Sequence, residues 1–170
     1  FYDYVDSLDR IHLIRETPCF RPNVRSDFRI GKKPKRHLVD VSLAVAALEL
    51  NDEILRNDPN TLGFMFEALC EHDLRIYSEY LGGRLFHYRD GRGREIDAVV
   101  EMQDGSWGAF EIKLGVDQID IAAKNLLYLK GLFEAEGKPP ASLCVICGLA
   151  DFAYMRPDGV YVVPITSLKP

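Results

Sequence analysis

Two short apolar stretches that carry charged residues, one on each side of a turn, constrain the fold of this chain more than any other feature. The first covers residues 95–101 and carries Asp97, and the second covers residues 110–114 and carries Glu111 and Lys113. Both stretches alternate in polarity with a period of two, which is typical of half-buried β-strands. A charge inside such a strand is costly unless it is paired, bound to a metal or used chemically. The pattern therefore predicts an antiparallel hairpin that gathers charge.

The length of the hairpin loop decides whether the carboxylates meet, because directly opposed residues share one face of the sheet. A two-residue turn at residues 104–105 would place Asp97 opposite Ile112. A three-residue loop at residues 103–105 would place Asp97 opposite Glu111, with the lysine diagonally beside them. The three-residue loop is favoured because it ends on glycine, which suits the left-handed bulge position. Two opposed carboxylates repel each other unless a cation lies between them.

Length and composition predict one soluble domain, or one domain with a small appendage. The chain has 170 residues, of which 47% are hydrophobic, and this is enough to bury a sizeable core. No apolar run approaches the roughly 20 residues that cross a bilayer. The formal net charge of −5 gives no overall attraction to nucleic acid, so such binding would need a local basic patch. Because the chain begins with Phe1 inside a predicted helix, we expect it to be a piece of a longer protein.

The cysteines predict a reducing compartment and therefore a cytoplasmic protein. They are scattered at positions 19, 70, 144 and 147. Cys144 and Cys147 have the C-x-x-C spacing, but a strand through this apolar stretch would point their sulfur atoms to opposite faces. We expect both to be core residues rather than a redox or metal-binding pair.

The remaining patterns predict an α/β (α+β) fold. Helices are predicted over residues 1–14, 43–50, 61–78 and 116–135, and strands, besides the hairpin, over residues 84–89, 141–148 and 160–164. This order predicts a mixed sheet with helices on its faces. Two units are expected: residues 1–56 form an N-terminal helical segment and a basic connector, and residues 57–170 form the core.

The helix predicted from residue 61 carries one candidate site residue. Thr61 is the expected N-cap, and an apolar stripe is expected to face the core, formed by Leu62, Met65, Leu69 and Ile76. Glu67 lies roughly opposite this stripe on a helical wheel. The wheel alone therefore predicts a solvent-exposed glutamate.

A basic cluster lies in the connector, which is predicted to be extended or irregular over residues 17–38. The cluster is either a solvated arm or a patch that contacts phosphate groups. No aromatic residue is interleaved with it, so base stacking by this segment is not favoured. The candidate nucleic-acid-binding residues are Lys32, Lys33, Lys35, Arg36 and, outside the cluster, Arg89.

These motifs together resemble a known family. A helix that bears Glu67, then three strands with Asp97 on the second and Glu-x-Lys on the third, resembles the PD-(D/E)XK nuclease superfamily. The closer resemblance, over nearly the whole chain, is to the C-terminal domain of unknown function of prokaryotic AAA-type ATP-binding proteins. It rests on Pro34-Lys35, Asp40, Gly63, Phe66-Glu67, Tyr88-Arg89, Glu95-Ile96-Asp97, Glu111-Ile112-Lys113 and Val163-Pro164.

The resemblance implies a restriction-endonuclease-like αβββαβ core and a metal site. Asp97 and Glu111 would be ligands of Mg²⁺ or Mn²⁺, Glu67 would be an outer ligand, and Lys113 would position the attacking water. It also implies an upstream ATPase domain in the same chain, with DNA and further copies of the chain as candidate partners. The sequence departs from the superfamily name at Ile96, which stands where that name has proline.

Several functions remain open at this stage. The first is a metal-dependent nuclease that cleaves DNA phosphodiesters. The second is a catalytically silent DNA- or protein-binding regulatory module of the ATPase. A third is an assembly domain with apolar surface around Phe64, Phe66 and Tyr80. Without the resemblance, the charged trio of the hairpin would be interpreted as a purely structural salt-bridge network. The four histidines do not cluster, and none is assigned to the site.

Overall fold

The computed structural model describes residues 2–21 and 34–169, so that Lys32 and Lys33 lie outside the described residues. Within these ranges the helices are α1 (Tyr2–Arg10), α2 (Val41–Ala47), α3 (Asp52–Asn57), α4 (Pro59–Tyr80) and α5 (Ile119–Ala135). The strands are β1 (Ile14–Thr17), β2 (Lys35–Leu38), β3 (Arg84–Arg89), β4 (Glu95–Glu101), β5 (Trp107–Lys113), β6 (Ser142–Cys147), β7 (Tyr154–Met155) and β8 (Tyr161–Pro164).

Six of these strands form one mixed sheet in the order β3-β4-β5-β6-β8-β7. The first three form an antiparallel meander, β6 and β8 continue the sheet in parallel, and the short β7 pairs antiparallel at the edge. Helix α5 provides the crossover that a parallel β5–β6 pair requires. The predicted α/β class is confirmed, and so is the αβββαβ order from α4 onward.

The sheet buries a separate apolar layer on each face. The layer under α5 includes Leu126 and Leu129, and the layer under α4 includes Cys70 and Leu74. Burial of each such leucine contributes roughly 1.5–3 kcal/mol. Strand β6 is buried on both faces, as its continuous apolar run predicts. Cys144 lies in the α4 layer and Cys147 in the α5 layer, which confirms that the two sulfur atoms point to opposite faces.

The connector is more ordered than the sequence indicated. Strands β1 and β2 pair antiparallel from Ile14 opposite Leu38 to Thr17 opposite Lys35. Of the two predicted alternatives, the extended one is confirmed for Thr17 and residues 35–38, whereas residues 18–21 are irregular apart from an isolated bridge between Cys19 and His87. Strands of four residues with little apolar character give almost no periodic signal. They are held by contacts with distant elements, such as the hydrogen bond that Arg75 of α4 donates to Thr17.

Helix α4 differs from its prediction in its cap and in its buried face. Asp58, and not Thr61, is the N-cap, and its Oδ1 atom accepts a hydrogen bond of 3.1 Å from the backbone N–H of Thr61. Pro59 fits the first turn because no intrahelical hydrogen bond is lost there. The buried residues are Cys70, Glu71, Leu74 and Ser78, whereas Leu69 and Ile76 of the expected stripe are exposed. The apolar stripe predicted the wrong buried face because the face of α4 that is buried is partly polar.

Helix α1 is shorter than predicted, and no described helix has the length and apolar character that a membrane span requires. The chain leaves α1 at Arg10 and turns through His12, whose φ angle is +56°. It then enters β1 at Ile14, so the end of the predicted helix is a turn followed by the first residue of a strand.

Candidate active site

The β4–β5 hairpin has the three-residue loop that the sequence analysis favoured. The Met102 N–H donates a 2.8 Å hydrogen bond to the Ser106 carbonyl, which closes the loop over residues 103–105. Gly105 has a φ angle of +80°, in the left-handed region where glycine is favoured. The strands pair up to Ala98 opposite Phe110. One step further, the same register would place Asp97 opposite Glu111, but the pairing of the two strands ends at Ala98 and Phe110.

A β-bulge in β4 sets the direction of the Asp97 carboxylate. On the β3 side, Phe86 pairs with Val99 and Tyr88 pairs with Ile96, so two residues of β4 lie opposite the single residue between them in β3. The bulge breaks the alternation of β4, and Ile96 therefore packs in the same α5 layer as Val99. Bulges of this kind redirect side chains beside active sites.

The Asp97 carboxylate contacts β5 just beyond the last paired residues of β4 and β5. Its Oδ2 atom accepts a 2.7 Å hydrogen bond from the Ile112 N–H. Lys113 Nζ lies 2.9 Å from the same oxygen and 2.6 Å from Glu111 Oε2. Asn125 of α5 donates a long hydrogen bond of 3.4 Å to Glu111 Oε1. The structure thus brings together Asp97, Glu111 and Lys113 of the predicted site.

A second ion-paired group lies next to this trio. The Lys35 ammonium of β2 contacts the carboxylates of Glu67 and Glu71, one turn apart on α4. Glu71 is buried, and its Oε2 atom lies 2.8 Å from His37 Nε2. Glu67 is close enough to Asp97 that the charge of Asp97 helps to raise the pKa of Glu67. The two groups are therefore coupled electrostatically, and together they make up the candidate site.

Sequence reasoning missed Glu71 and His37, although each has a weak signal. Glu71 follows Glu67 by four residues, which puts both on one face of a helix. His37 follows Lys35 by two residues, which puts both on one face of a strand. The signal is usable only when β2 is known to lie against α4, and this is a long-range contact.

The site contains more negative than positive charge. Four carboxylates face two ammonium groups, namely those of Glu67, Glu71, Asp97 and Glu111 and those of Lys35 and Lys113. Burial, and then the charge of Asp97, raise the pKa of Glu67 above its ordinary value. The same two causes raise the pKa of Glu111 to about 7. With every carboxylate ionised, negative charge is in excess even when the His37 imidazole beside Glu71 is protonated.

Both lysines keep their protons. Burial alone would lower the pKa of Lys35 and of Lys113, but the facing carboxylates raise both values above the ordinary one. Burial would raise the pKa of Glu71, but the contact with His37 and the charge of Lys35 lower it below its ordinary value. Glu71 is therefore a fixed anion, whereas Glu111 titrates near neutral pH.

The donor atoms of the hairpin suit a hard cation, although they are arranged as an ion-pair network. Among the residues that the structure describes, no group of three or more His, Cys, Asp or Glu side chains could hold a metal ion. Asp97 and Glu111 are bridged by Lys113 instead. Two carboxylates with no sulfur ligand match the preference of Mg²⁺ or Mn²⁺, which retain several waters in such sites.

The described candidates for nucleic-acid binding all have acidic partners. Lys35 is paired within the site. Arg36 Nε lies 2.8 Å from Glu16 Oε1 at the surface of the β1–β2 hairpin, and an Arg89 nitrogen lies 2.8 Å from Glu95 Oε1. Surface pairs of this kind are weak and exchange readily for other partners.

The fold and the site define a mixed α/β domain with an acidic, lysine-bridged centre on its central hairpin. Residues 62–168 match the family described as Domain of unknown function (DUF4143), and the chain belongs to this family. The matched range contains Glu67, Glu71 and the hairpin trio, and it begins after β2. The chain matches none of the curated proteins and none of the solved structures with which it was compared.

Proposed function

We propose that this domain is a nuclease-like hydrolase that cleaves phosphodiester bonds of DNA with the help of Mg²⁺ or Mn²⁺. The observation that carries the proposal is the meeting of Asp97, Glu111 and Lys113 where β4 and β5 cease to pair. Two carboxylates and one ammonium group are the side chains that metal-assisted hydrolysis of a phosphate ester needs. The excess of negative charge at the site supports a bound cation.

Each residue of the site would have a separate role in hydrolysis. Asp97 and Glu111 would hold the ion, which when bound supplies a water of lowered pKa and stabilises charge on the phosphate. Asp97 is oriented for this by the Ile112 N–H. Lys113 keeps its proton at Nζ, so it would donate hydrogen bonds to a phosphate oxygen or to the attacking water. Glu67 would add negative charge from α4.

The second candidate is a catalytically silent module that binds DNA or protein and regulates an ATPase. Its support is that lysine ammonium groups already bridge both carboxylate pairs of the site. An assembly role has support of a similar kind, because Phe64 and Tyr80 on α4 are 68% and 76% exposed, whereas Phe66 packs against the α4 layer. An upstream AAA-type ATPase domain, self-association and a cytoplasmic location belong to this proposal.

The decisive experiment is a titration with Mn²⁺ or Mg²⁺. The melting temperature and the cleavage of single-stranded and duplex DNA are followed for wild type and for Asp97→Asn, with Asp6→Asn on the surface of α1 as the control. We expect metal to raise the melting temperature of wild type and of the control but not of Asp97→Asn, and cleavage to follow the same pattern.

Each other outcome has a distinct meaning. If metal changes neither melting temperature nor cleavage in any of these proteins, the ligand assignment is wrong. If metal stabilises wild type and no DNA is cleaved, the silent module replaces the hydrolase.

A further inference from the structure

A cavity of about 350 Å³ lies beside the candidate active site, on the α5 side of β4. Its volume is within the range of pockets that hold small molecules, roughly 300–1,000 Å³. Ile96 and Leu129, both buried, contribute its apolar lining. The other lining residues are Tyr88, Arg94, Glu95, Asn125 and Tyr128.

Three of the lining residues, namely the two tyrosines and the arginine, have flat side-chain groups. The Arg94 guanidinium carbon lies 4.0 Å from the centre of the Tyr128 ring, so the two groups form a cation–π stack at the wall of the cavity. Tyr88 is held by an edge-on contact with Phe133, with ring centres 5.7 Å apart. Aromatic rings and guanidinium planes are the groups on which proteins stack unpaired nucleobases.

The side chain of Asp90 holds the turn that carries Arg94 in place. The Asp90 side chain accepts hydrogen bonds of 2.7 Å and 2.9 Å from the N–H groups of Arg92 and Arg94. The backbone of the arginine is therefore fixed at the cavity, although its side chain is partly exposed.

The cavity adjoins the charged trio through one shared residue. Asn125 lines the cavity and also donates its long hydrogen bond to Glu111 Oε1. An amide side chain offers both a donor and an acceptor to the edge of a base. A base in the cavity would therefore lie next to the carboxylate that we assign to phosphodiester hydrolysis.

We propose that this cavity binds one unpaired nucleobase of a single-stranded nucleic acid, beside the phosphate at the charged trio. The inference rests on the proposed function, since it takes a nucleic acid as the ligand of the domain. It predicts that a single strand, or a nucleotide turned out of a duplex, is preferred to regular duplex DNA.

The test measures DNA binding without metal, so that it does not depend on cleavage. Binding of a short fluorescent single-stranded DNA of mixed sequence is followed by anisotropy in the presence of EDTA. The variant is Tyr128→Leu, and the control is Tyr161→Leu on β8, because the two tyrosines are 42% and 46% exposed. We expect Tyr128→Leu to weaken binding about tenfold or more, the loss typical of one stacked base. The control should bind as wild type does.

Further measurements distinguish single-stranded DNA from duplex DNA and free nucleotides as the ligand, and separate the base pocket from the proposed hydrolase. A duplex of the same sequence should bind more weakly than the single strand. Equal binding of duplex and single strand, or wild-type binding by Tyr128→Leu, would overturn the base pocket. Binding of free nucleoside monophosphates without binding of the strand would overturn a strand as the ligand. Metal-dependent cleavage that is unaffected by Tyr128→Leu would contradict the base pocket and leave the proposed hydrolase intact. Single-strand binding that is weakened by Tyr128→Leu, without any cleavage, would support the base pocket and contradict the hydrolase.

Discussion

Glu111 is the residue whose chemistry depends most on its surroundings. It is only 2% exposed and lies beside Lys113 and close to Asp97. Desolvation favours its neutral form, and the negative charge of Asp97 acts in the same direction. Its ionisation near pH 7 therefore controls whether the hairpin carries one carboxylate or two.

The raised pKa of Glu111 has a measurable effect on stability. A carboxyl group whose folded-state pKa exceeds its unfolded-state value stabilises the protein at low pH, and this contribution is lost as the pH rises through the folded value. We therefore expect wild type to lose stability relative to Glu111→Gln between about pH 4.5 and pH 7, by on the order of 2–3 kcal/mol.

Urea unfolding at pH 5 and pH 8, with EDTA present, measures this difference. Glu95→Gln is the matched control, because Glu95 lies two positions before Asp97 on the same strand and is exposed. The difference in the free energy of unfolding between wild type and Glu95→Gln should not change with pH. If the difference between wild type and Glu111→Gln is also constant, the pKa of Glu111 is not raised by folding.

At the scale of elements, charged contacts join α4 to the β1–β2 strand pair. The Lys35 ammonium of β2 neutralises the buried Glu71 of α4 and the half-buried Glu67 beside it. Removal of one partner from a buried ion pair leaves an uncompensated charge, which is more costly than the absence of the whole pair.

Replacement of Lys35 by methionine should therefore lower the free energy of unfolding by about 2–4 kcal/mol, somewhat less than for a fully buried pair because Lys35 is partly exposed. Arg36→Met, at the next position of β2, removes an exposed pair and should cost at most about 1 kcal/mol. Urea unfolding at neutral pH compares the two variants. Equal losses would mean that Lys35 does not neutralise Glu71, and Glu71→Gln in the Lys35→Met background should recover part of the loss.

The elements also show what a sequence can predict. The hairpin, its register and the trio could be predicted because their signal is local: charges interrupt two alternating strands and a glycine ends the loop. The pairing of Lys35 with Glu71 could not, because the two residues are 36 positions apart and neither strand of the β1–β2 hairpin has an apolar pattern. The Arg94–Tyr128 stack could not be predicted either, because these two residues are also far apart in the sequence.

At the scale of the whole molecule, the N-terminal residues contribute to the main core. Phe20 is 1% exposed and contacts Phe86, Trp107 and Phe133, with ring centres 4.8–6.2 Å apart. Backbone hydrogen bonds between Phe20 and His87 and between His87 and Pro18 attach this segment to β3. The boundary expected after residue 56 therefore crosses contacts on which the core depends.

A fragment of residues 57–170 should be less stable than a fragment of residues 14–170 by at least about 3 kcal/mol. The shorter fragment loses the Phe20 side chain, and a buried phenylalanine is worth about 3–5 kcal/mol. It also leaves Glu71 without Lys35. Urea unfolding and the binding of a hydrophobic dye compare the two fragments. If they are equally stable, the N-terminal residues are an appendage and residues 57–170 form an independent unit.

The bulge in β4 has a consequence for the thermodynamics of ligand binding. The Asp97 carboxylate is tethered to a backbone N–H and to an ammonium group in the free protein, so its rotamer is set during folding and not when a ligand arrives. Binding of a ligand at this position therefore costs little conformational entropy of the Asp97 side chain. Its binding enthalpy should instead be dominated by the exchange of the Lys113 contacts for its own.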